Sequence, residues 1–511
     1  MPPLGNALPS AAERCPDKTA LVVEERTWSF QAIDEATTRL ARTLLVNHQP
    51  GDRVALHFTN GYELAVAYYA CFKAGLVAVP LNTRMKGPEL AYVLNHSGAR
   101  VYLGQSSLYG EIHQTRPSIA LDDFFISGDR RPFSDVADLE PLMNGGGATE
   151  LASTEVTLPR VTDDMPAVIM YTSGTTARPK GVTHTHRTLG CLARAGLDVA
   201  EANGREDDVS GIVLPACHIF GLSVLVSTWM AGNTVVMIPR FDPPFVLEQL
   251  QRHRVTIFGA LPVMLNALLH VPNASSFDIS GLRACFAGGD AVATELQRRF
   301  KETFRVDVTE ACGMTEVQPY ACNPLGARGK VGSIGLPAPG ATLRLVDEFG
   351  RDVADGEAGE VLVKSPAAMV GYWKDPDATA ATIRDGWLST GDLARKDADG
   401  YYWFVGRKKE IIVRGGSNIS PLEVEDAIYQ YPAVREVGVV GCPSSDLGEV
   451  VLAFVGLKNG DSATEQDIKD FLAARMAAYK IPERIIFVPE LPKGLTGKVH
   501  RRTLKEWAAQ G

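Results

Sequence analysis

A loop of small hydroxyl and glycine residues that ends in a lysine is the first feature of this sequence with an evident chemical use. It lies within YTSGTTARPKGV (Tyr171 to Val182) and follows an apolar run. Glycines let backbone N–H groups approach phosphate oxygens, hydroxyls add donors, and Lys180 adds positive charge. The segment departs from the P-loop of nucleotide triphosphatases, because Pro179 replaces the second glycine and Gly181 replaces Ser or Thr. We expect a loop that binds phosphates; the alternative is a polar surface turn.

Four further segments place charged or hydroxyl side chains in short loops that contain glycine. They are CGMTE (312–316), STGD (389–392), GRKKE (406–410) and PKGLTGKVHRR (492–502). A carboxylate can bind Mg²⁺ together with phosphate oxygens, and a lysine can stabilise an anion that forms during a reaction. Each segment alone also fits a turn, a helix start or a solvated tail.

Alternating strand and helix patterns surround these loops and predict βαβ units. A strand over 52–58 precedes a helix over 62–75, and the unit recurs from 255 and from 283. In open α/β sheets ligands bind beyond the carboxyl ends of strands, which places Gly288 and Gly289 at a candidate site. From about Lys330 the pattern indicates an antiparallel β module. The last 102 residues predict a small α+β domain with helices over 421–430 and 464–476 and strands over 436–440 and 450–457.

Composition excludes several classes of protein. The chain has 511 residues, which predicts more than one domain, and a net charge of −9, which argues against a dedicated nucleic-acid binder. Its eight cysteines form no C-x-x-C pair and fit a reducing compartment, so we expect a cytoplasmic protein. The N-terminus does not resemble a signal peptide. The apolar stretch over 211–238 is interrupted by Pro, His and Gly residues and predicts a buried core and not a membrane span.

Taken in this order, the loops resemble the signatures of the acyl-adenylate-forming superfamily, which includes acyl-CoA synthetases, peptide-synthetase adenylation domains and firefly-type luciferases. The resemblance covers nearly the whole chain, and five separated segments agree. It implies an α/β protein with a large N-terminal domain of βαβ subdomains plus a small β module, over 1–405. A hinge over 406–409 and a mobile α+β C-terminal domain over 410–511 would follow.

The resemblance also implies roles for individual residues. Lys180 would hold the β- and γ-phosphates of ATP, Thr315 the α-phosphate and Glu316 a Mg²⁺ ion. Asp392 and Arg407 would bind the ribose, and the catalytic Lys498 would bridge the attacking carboxylate and the α-phosphate. The other residues implied to bind ATP are Thr172, Ser173, Gly174, Thr175, Thr176, Gly288, Gly289, Asp290, Cys312 and Gly313. Cys312 departs from the family, which commonly has an aromatic residue there, stacked on adenine.

Three further groups of residues follow from the resemblance. Gly415 and Gly416 lie in a loop that resembles the coenzyme A-binding form of this family, and Lys409 occupies the hinge position. In the basic tail, Lys493, Arg501 and Arg502 would be solvated or would meet the phosphates of coenzyme A. His218 resembles a family histidine near the substrate carboxylate, although a buried structural histidine is the alternative. The implied acyl pocket is mostly small or apolar and consists of Ile219, Phe220, Gly221, Ala260, Met314 and Val317.

The resemblance therefore implies an ATP-dependent acyl-CoA ligase that uses ATP, Mg²⁺ and coenzyme A. The apolar pocket favours a monocarboxylic fatty or aryl acid. Three alternatives stay open: an adenylation enzyme that loads a carrier protein, a luciferase-like oxygenase, and a non-enzymatic protein on the same fold. We expect no nucleic-acid partner and no membrane span, and a homodimer is left open.

Overall fold

The computed structural model describes residues 4–145, 156–172, 178–201, 205–444, 446–458, 460–494 and 498–510. Sixteen strands precede residue 340 in these ranges: β1 Thr19–Val23, β2 Arg26–Ser29, β3 Arg53–His57, β4 Val77–Pro80, β5 Ala99–Gln105, β6 Asp123–Ser127, β7 Ala137–Asp138, β8 Pro166–Thr172, β9 Lys180–Thr185, β10 Val209–Ile212, β11 Thr234–Met237, β12 Ile257–Ala260, β13 Ala284–Gly288, β14 Val308–Met314, β15 Val317–Cys322 and β16 Leu336–Pro337. The later strands are β17 Thr342–Val346, β18 Gly359–Lys364, β19 Gly371–Tyr372, β20 Ile383–Arg384, β21 Trp387–Lys396, β22 Tyr402–Arg407, β23 Ile412–Arg414, β24 Ser417–Ile419, β25 Val434–Ser444, β26 Gly448–Leu457 and β27 Arg484–Phe487.

The helices of the described ranges are α1 Ala7–Arg14, α2 Phe30–Leu44, α3 Tyr62–Ala74, α4 Gly87–Ser97, α5 Ser106–Thr115, α6 Glu140–Asn144, α7 His186–Val199, α8 Ile219–Met230, α9 Pro243–Arg252, α10 Pro262–Leu269, α11 Thr294–Phe304, α12 Pro376–Thr382, α13 Pro421–Tyr429, α14 Glu465–Ala473 and α15 Arg501–Gln510. Short 3₁₀ turns lie at Leu4–Asn6, Arg116–Ser118, Ala274–Ser276, Gly326–Arg328 and Ala478–Lys480. None of the helices described is long and apolar enough to cross a membrane.

Two large sheets form most of the molecule. The first has the order β16-β15-β14-β13-β12-β10-β11-β1-β2, and its centre, from β14 to β1, is parallel. The second has the order β19-β9-β8-β4-β3-β5-β6-β7. Between them lies a hydrophobic core that buries almost every residue of α3, together with α8. The stretch over 211–238 forms β10, α8 and β11 and is largely buried, as predicted.

Two smaller sheets follow. The third is antiparallel, with the order β17-β18-β21-β20 and β22 paired to β21. The fourth, β24-β23-β26-β25 with β27 parallel to β26, packs against α13 and α14 around its own core. The predicted fold class, a large α/β part with a β module and a smaller C-terminal α+β part, is confirmed.

Element limits differ from the predictions in the C-terminal part. The strand predicted over 436–440 is β25, which extends over eleven residues because it pairs along nearly its whole length with β26. The helix predicted over 464–476 is shorter. Thr464 caps α14 instead of beginning it, since its hydroxyl accepts a hydrogen bond from Asp467 N.

Candidate active site

A cleft of about 1920 Å³ opens where the first, third and fourth sheets meet. Strands β12, β13 and β14 are parallel neighbours, so their carboxyl ends open at one edge of the first sheet. Strands β21 and β22 and the C-terminal segment complete the lining. Predicted site residues that line this cleft are Gly289, Asp290, Cys312, Gly313, Asp392, Arg407 and Lys498.

An ion pair between a buried carboxylate and a half-exposed arginine lies in the part of the cleft formed by the third sheet. The antiparallel register of β21 and β22 sets Asp392 directly opposite Arg407, and Arg407 Nε lies 3.1 Å from Asp392 Oδ1. Asp392 is only 2% exposed. Burial raises the pKa of Asp392, and the neighbouring Arg407 opposes that shift. The cleft thus has a carboxylate with a fixed cation beside it, which can accept hydrogen bonds from hydroxyl groups.

Tyr320, which sequence reasoning missed, holds the other oxygen of this carboxylate. Its hydroxyl donates to Asp392 Oδ2 at 2.8 Å, and the Cys312 sulfur lies 2.9 Å from the same hydroxyl. Cys312 and Tyr320 lie on the paired strands β14 and β15. The cysteine at the position where the resemblance implies an aromatic ring is therefore part of a hydrogen-bonded chain.

The hairpin of β8 and β9 flanks the phosphate loop. Thr172 pairs with Lys180 across it, whereas the predicted residues Ser173, Gly174, Thr175 and Thr176 lie outside the described residues. Lys180 Nζ lies 4.7 Å from the centre of the Tyr372 ring, and the Tyr372 hydroxyl donates to Glu316 Oε1 at 2.8 Å. The pairing of β19 with β9 brings Tyr372 to this position. Lys180 and Glu316 thus border one region, linked by a tyrosine.

Glu316 is the residue that the resemblance assigns to Mg²⁺. It is 7% exposed, and burial raises its pKa, while the hydrogen bond from Tyr372 opposes that shift. In the described ranges, no group of three or more His, Cys, Asp or Glu side chains could hold a metal. Mg²⁺ commonly takes one or two protein carboxylates and completes its shell with water and phosphate oxygens. A single carboxylate beside a hairpin that is predicted to bind phosphates fits such an ion.

His184 fixes the backbone next to Glu316. Its Nε2 lies 2.8 Å from the Thr315 carbonyl oxygen, which can only accept, so Nε2 carries the proton. Nδ1 then accepts from the Thr188 hydroxyl, at 3.1 Å. Burial lowers the pKa of His184 to about 4, so the ring is neutral at pH 7. Its position beside the phosphate loop was the one sequence signal for this role.

His218 lies at the start of α8 and contacts Asn82. The Asn82 amide nitrogen lies 2.8 Å from His218 Nε2 and can only donate, so the histidine proton is on Nδ1. Burial lowers the pKa of His218 to about 4, and the charge of Lys498 lowers it further. A neutral histidine with a fixed tautomer therefore lies within electrostatic reach of Lys498.

The residues of the implied acyl pocket differ in their surroundings. Ile219, Ala260 and Val317 are buried within hydrophobic clusters, and Met314 packs against one of these clusters. Phe220 instead covers the glycines of the strands: a Cβ on Gly288 would lie 3.6 Å from its ring, and one on Gly259 would lie 3.2 Å away. Gly221 packs against backbone, since its Cβ would lie 2.7 Å from the Pro215 oxygen. Gly288 must be glycine, because a Cβ there would lie 2.4 Å from the Ala311 oxygen.

Lys498 lies in the C-terminal segment beside an antiparallel backbone pairing of Lys493 with Val499. Gly494 N donates to the Lys498 oxygen at 2.8 Å. The Lys498 side chain reaches the first sheet, where its Cε lies 3.8 Å from the position of a Cβ on Gly289. Burial lowers the pKa of Lys498, opposed by Asp290 and Asp392.

Arg501 is paired and not solvated, so the first of the two roles expected for it is wrong, whereas contact with the phosphates of coenzyme A stays a prediction. It donates twice to Glu425, at 2.6 and 2.9 Å, and its Nε lies 3.1 Å from Glu410 Oε2. Its side chain is 16% exposed, whereas that of Arg502 is 80% exposed. A run of basic residues gives no sequence signal that one of them is buried. Arg501 ties the lysine-bearing segment to α13 and to the segment after β22.

The predicted coenzyme A and hinge residues lie outside the lining of the cleft. Gly415 and Gly416 form the turn between β23 and β24, with φ of 56° and 82°, which favours glycine at both positions. Lys409 lies between β22 and β23. Ser420 Oγ donates to the Val405 carbonyl across this connection.

Glu310 is a further cleft residue that the sequence predictions omitted. It lies on β14, is 6% exposed, and its Oε2 has no hydrogen-bond partner in the described part of the chain. Burial raises its pKa to about 8, and Asp426 of the C-terminal part adds to that shift. A charged residue inside an otherwise uncharged strand pattern was the signal that could have identified it.

Comparison with known proteins agrees with this geometry. Residues 8–373 match the family described as AMP-binding enzyme, and residues 423–498 match the AMP-binding enzyme C-terminal domain. The long-chain-fatty-acid–CoA ligase of Bacillus subtilis (strain 168) is 33% identical, over 98% of this chain and 94% of that protein. The fatty acid–acyl-carrier-protein ligase ScoC of Streptomyces coeruleorubidus is 31% identical, over 97% of this chain and 94% of that protein.

A solved structure extends the likeness to the fold. The anthranilate CoA ligase AuaEII in complex with anthranoyl-AMP has a TM-score of 0.92 and 30% sequence identity, and the match covers 99% of this chain and 97% of that one. The family matches together span most of the chain, in the order that the sequence motifs predict. The chain therefore belongs to the AMP-binding enzyme family, the adenylate-forming enzymes, and acyl-CoA ligases are among its relatives.

Proposed function

We propose that the protein is an AMP-forming acid–CoA ligase with two half-reactions. In the first, a carboxylate oxygen of the acid bonds to the α-phosphorus of ATP, and the bond to the bridging β-phosphate oxygen breaks, so that pyrophosphate leaves. In the second, the coenzyme A sulfur loses its proton and bonds to the acyl carbon, and AMP leaves. One observation carries the proposal: Lys498 reaches the same cleft as Gly289 and the Asp392–Arg407 pair.

Lys498 is proposed as the catalytic cation of the first half-reaction. Two anions, the carboxylate and the α-phosphate, must approach each other, and negative charge grows as the new bond forms. A cation held between them lowers the energy of that transition state. Burial disfavours the isolated ammonium, as the lowered pKa of Lys498 indicates, so an arriving anion would be attracted strongly.

The remaining roles follow from the contacts. Asp392 would accept hydrogen bonds from the ribose hydroxyls, with Arg407 adding a donor. Lys180 and Thr315 would bind phosphates, beside Gly288, Gly289 and Asp290 at the nucleotide. Glu316 would hold Mg²⁺, which neutralises phosphate charge when bound. The neutral His218 would lie near the substrate carboxylate.

The domain division is also proposed: an N-terminal domain over 1–405, a hinge over 406–409 and a mobile C-terminal domain over 410–511. The fourth sheet has its own core, which supports an independent unit. The turn at Gly415 and Gly416 lies outside the cleft while Lys498 lies inside it. Rotation at Lys409 would withdraw the lysine and bring this glycine turn toward the acyl group for the reaction with coenzyme A.

The substrate is proposed to be a monocarboxylic fatty or aryl acid. Phe220 supplies an aromatic wall beside Gly259 and Gly288, and Gln318 packs against Gly313. The names of the relatives include long-chain fatty acids and anthranilate as substrates of those proteins. A second candidate, loading of a carrier protein, is favoured by the likeness to ScoC over nearly the whole chain.

The test is pyrophosphate release from ATP with a panel of aliphatic and aromatic acids, with and without coenzyme A. We expect acid-dependent release and an acyl-CoA product for at least one acid. Release without thioester formation, followed by acylation of an added carrier protein, would favour the second candidate. Absence of release with every acid, while the protein remains folded, would rule out both.

A further inference from the structure

Tyr320 connects two residues of the cleft that the sequence treats as unrelated. It lies on β15 and is fully buried, and its hydroxyl is 2.8 Å from Asp392 Oδ2 and 2.9 Å from Cys312 Sγ. Asp392 is a neighbour in space only, since 72 residues separate it from Tyr320. The ring is thus oriented by packing, and the hydroxyl lies between a thiol and a carboxylate.

The direction of each hydrogen bond follows from the groups involved. An ionised carboxylate only accepts, so the single hydroxyl proton of Tyr320 is donated to Asp392. The Tyr320 oxygen can then accept from the thiol of Cys312. Burial raises the pKa of both Cys312 and Tyr320, so both protons are retained at neutral pH. The chain runs from Cys312 through Tyr320 to Asp392.

This chain fixes the plane of the Asp392 carboxylate. Tyr320 holds Oδ2 and Arg407 lies 3.1 Å from Oδ1, so rotation of the carboxylate would break both contacts. The small size of Cys312 belongs to the same arrangement, since a longer side chain in that direction would meet the Tyr320 hydroxyl. The cysteine at position 312, where the family commonly has an aromatic residue, therefore leaves room for the Tyr320 hydroxyl and bonds to it.

We propose that Tyr320 is a positioning residue for Asp392, and that Cys312 orients its hydroxyl, so that this chain sets the preference for a ribose over a deoxyribose. The inference rests on the proposed role of Asp392 as acceptor of the ribose hydroxyls. A carboxylate with a fixed plane distinguishes a sugar that donates two hydrogen bonds from one that donates a single bond. Loss of the Tyr320 hydroxyl frees the carboxylate and weakens that distinction.

The test compares the dissociation constants of ATP, 2′-deoxyATP and 3′-deoxyATP by calorimetry, a measurement that needs no turnover. We expect Tyr320→Phe to weaken ATP binding by up to about tenfold, less than the full value of a hydrogen bond to a charged group, because the lost bond is internal to the protein. Binding of the deoxynucleotides should weaken much less, so that the ratio of their dissociation constants to that of ATP falls. Cys312→Ser keeps a donor and should preserve the ratio, whereas Cys312→Ala should lower it partly.

Tyr68→Phe is the matched control, because Tyr68 is also fully buried and its hydroxyl donates to the Ala216 carbonyl in the core, away from the cleft. It should leave the ratio unchanged. Equal weakening of all three nucleotides by Tyr320→Phe would overturn the proposal and leave Tyr320 a purely structural role. Acid-dependent pyrophosphate exchange with the unmodified protein tests the proposed function separately, because the binding ratio does not depend on it.

Discussion

The two sides of the cleft treat buried charge differently. The N-terminal face, which consists of Cys312, Tyr320, Asp392 and Arg407, pairs its carboxylate through a hydrogen bond from Tyr320 to Oδ2 and an ion pair of Arg407 with Oδ1. The C-terminal face consists of Glu425, Lys498 and Arg501. There Arg501 is paired twice with Glu425, but no hydrogen bond or ion pair of the Lys498 ammonium is found within the described ranges.

This difference in pairing matches the two roles proposed for the two faces, which are binding of a neutral sugar and stabilisation of new negative charge. A carboxylate that recognises neutral hydroxyls binds them more tightly when partners fix its orientation, because those partners remain in place after the ligand binds. A cation stabilises new negative charge more strongly when it has no permanent partner, because such a partner would have to be displaced first. On the C-terminal face, Arg501 therefore holds the lysine-bearing segment, while Lys498 has no ion-pair partner within the described ranges.

Removal of Arg501, which holds the C-terminal segment to α13, should have the largest effect, a loss in the free energy of unfolding. Arg501→Ala would leave the buried carboxylate of Glu425 without its cation. Removal of one partner from a buried ion pair costs about 3–5 kcal/mol in the free energy of unfolding. Thermal or urea unfolding, followed by a probe of the C-terminal part, would measure the loss, and delivery of Lys498 should be impaired as well.

Arg502→Ala is the control for this experiment. Arg502 is exposed and pairs with Glu506 one helical turn away, an arrangement that contributes about 0.3–0.5 kcal/mol. Similar stability losses in the two variants would show that Arg501 is no more an anchor than its neighbour, and the comparison between the two faces would fail.

Substitution of Lys498 should have the second largest effect, on the rate of the first half-reaction. Lys498→Ala should slow acyl-adenylate formation by about 10²- to 10³-fold, as expected for one charge-stabilising donor. Thioester formation from a supplied acyl-adenylate should persist, because the proposed rotation moves Lys498 away from that step. Single-turnover measurements of the two half-reactions distinguish these steps.

Lys505→Ala is the matched lysine control, since Lys505 is exposed on α15, close in sequence and outside the cleft lining. It should leave both half-reactions near their original rates. If Lys498→Ala slows both half-reactions equally, the lysine is not specific to adenylation.

Sequence reasoning identified the fold class, and seven of the predicted site residues line the cleft. The strand and helix patterns predicted the βαβ units because apolar periodicity reflects burial on each face of an element. Lys498, Asp392 and Arg407 were predicted because their loops resemble family motifs. Their approach in space agrees with that resemblance, whereas their roles stay predictions.

The contacts that support those residues could not be predicted. Tyr320 in a strand is typical of a core residue, and Arg501 in a basic run is typical of a solvated one. Their partners lie 72 and 76 residues away, so the pairings depend on sheet register and on side-chain rotamers. Residue type alone predicts neither the register nor the rotamer. The cysteine at position 312 is likewise explained only by its hydrogen bond to Tyr320.

The smallest effect concerns Glu310, the buried carboxyl of the cleft that lacks the partners of Asp392. Its pKa in the folded protein is about 8, against an ordinary value of 4.5, and burial is the main cause. The folded protein binds the proton of this acid more tightly than the unfolded chain does. The resulting contribution to the free energy of unfolding is complete below pH 4.5 and is lost as the pH rises through 8. A neutral side chain of the same shape would not titrate.

Glu310→Gln should therefore have little effect on unfolding near pH 5 and should stabilise the protein near pH 8.5. We expect about 2 kcal/mol at the higher pH, less than the full pKa difference would give, because the cleft admits water. Thermal unfolding at both pH values measures it, with Glu302→Gln as control, since Glu302 is exposed and pairs with Arg298 on the surface of α11. A stabilisation that is equal at the two pH values would show that Glu310 is ionised throughout, held by a partner as Asp392 is. The contrast between Asp392, which has charged and hydrogen-bonding partners, and Glu310, which lacks them, would then disappear. Within the described ranges, Lys498 would remain as a cation of the cleft without a hydrogen bond or ion pair.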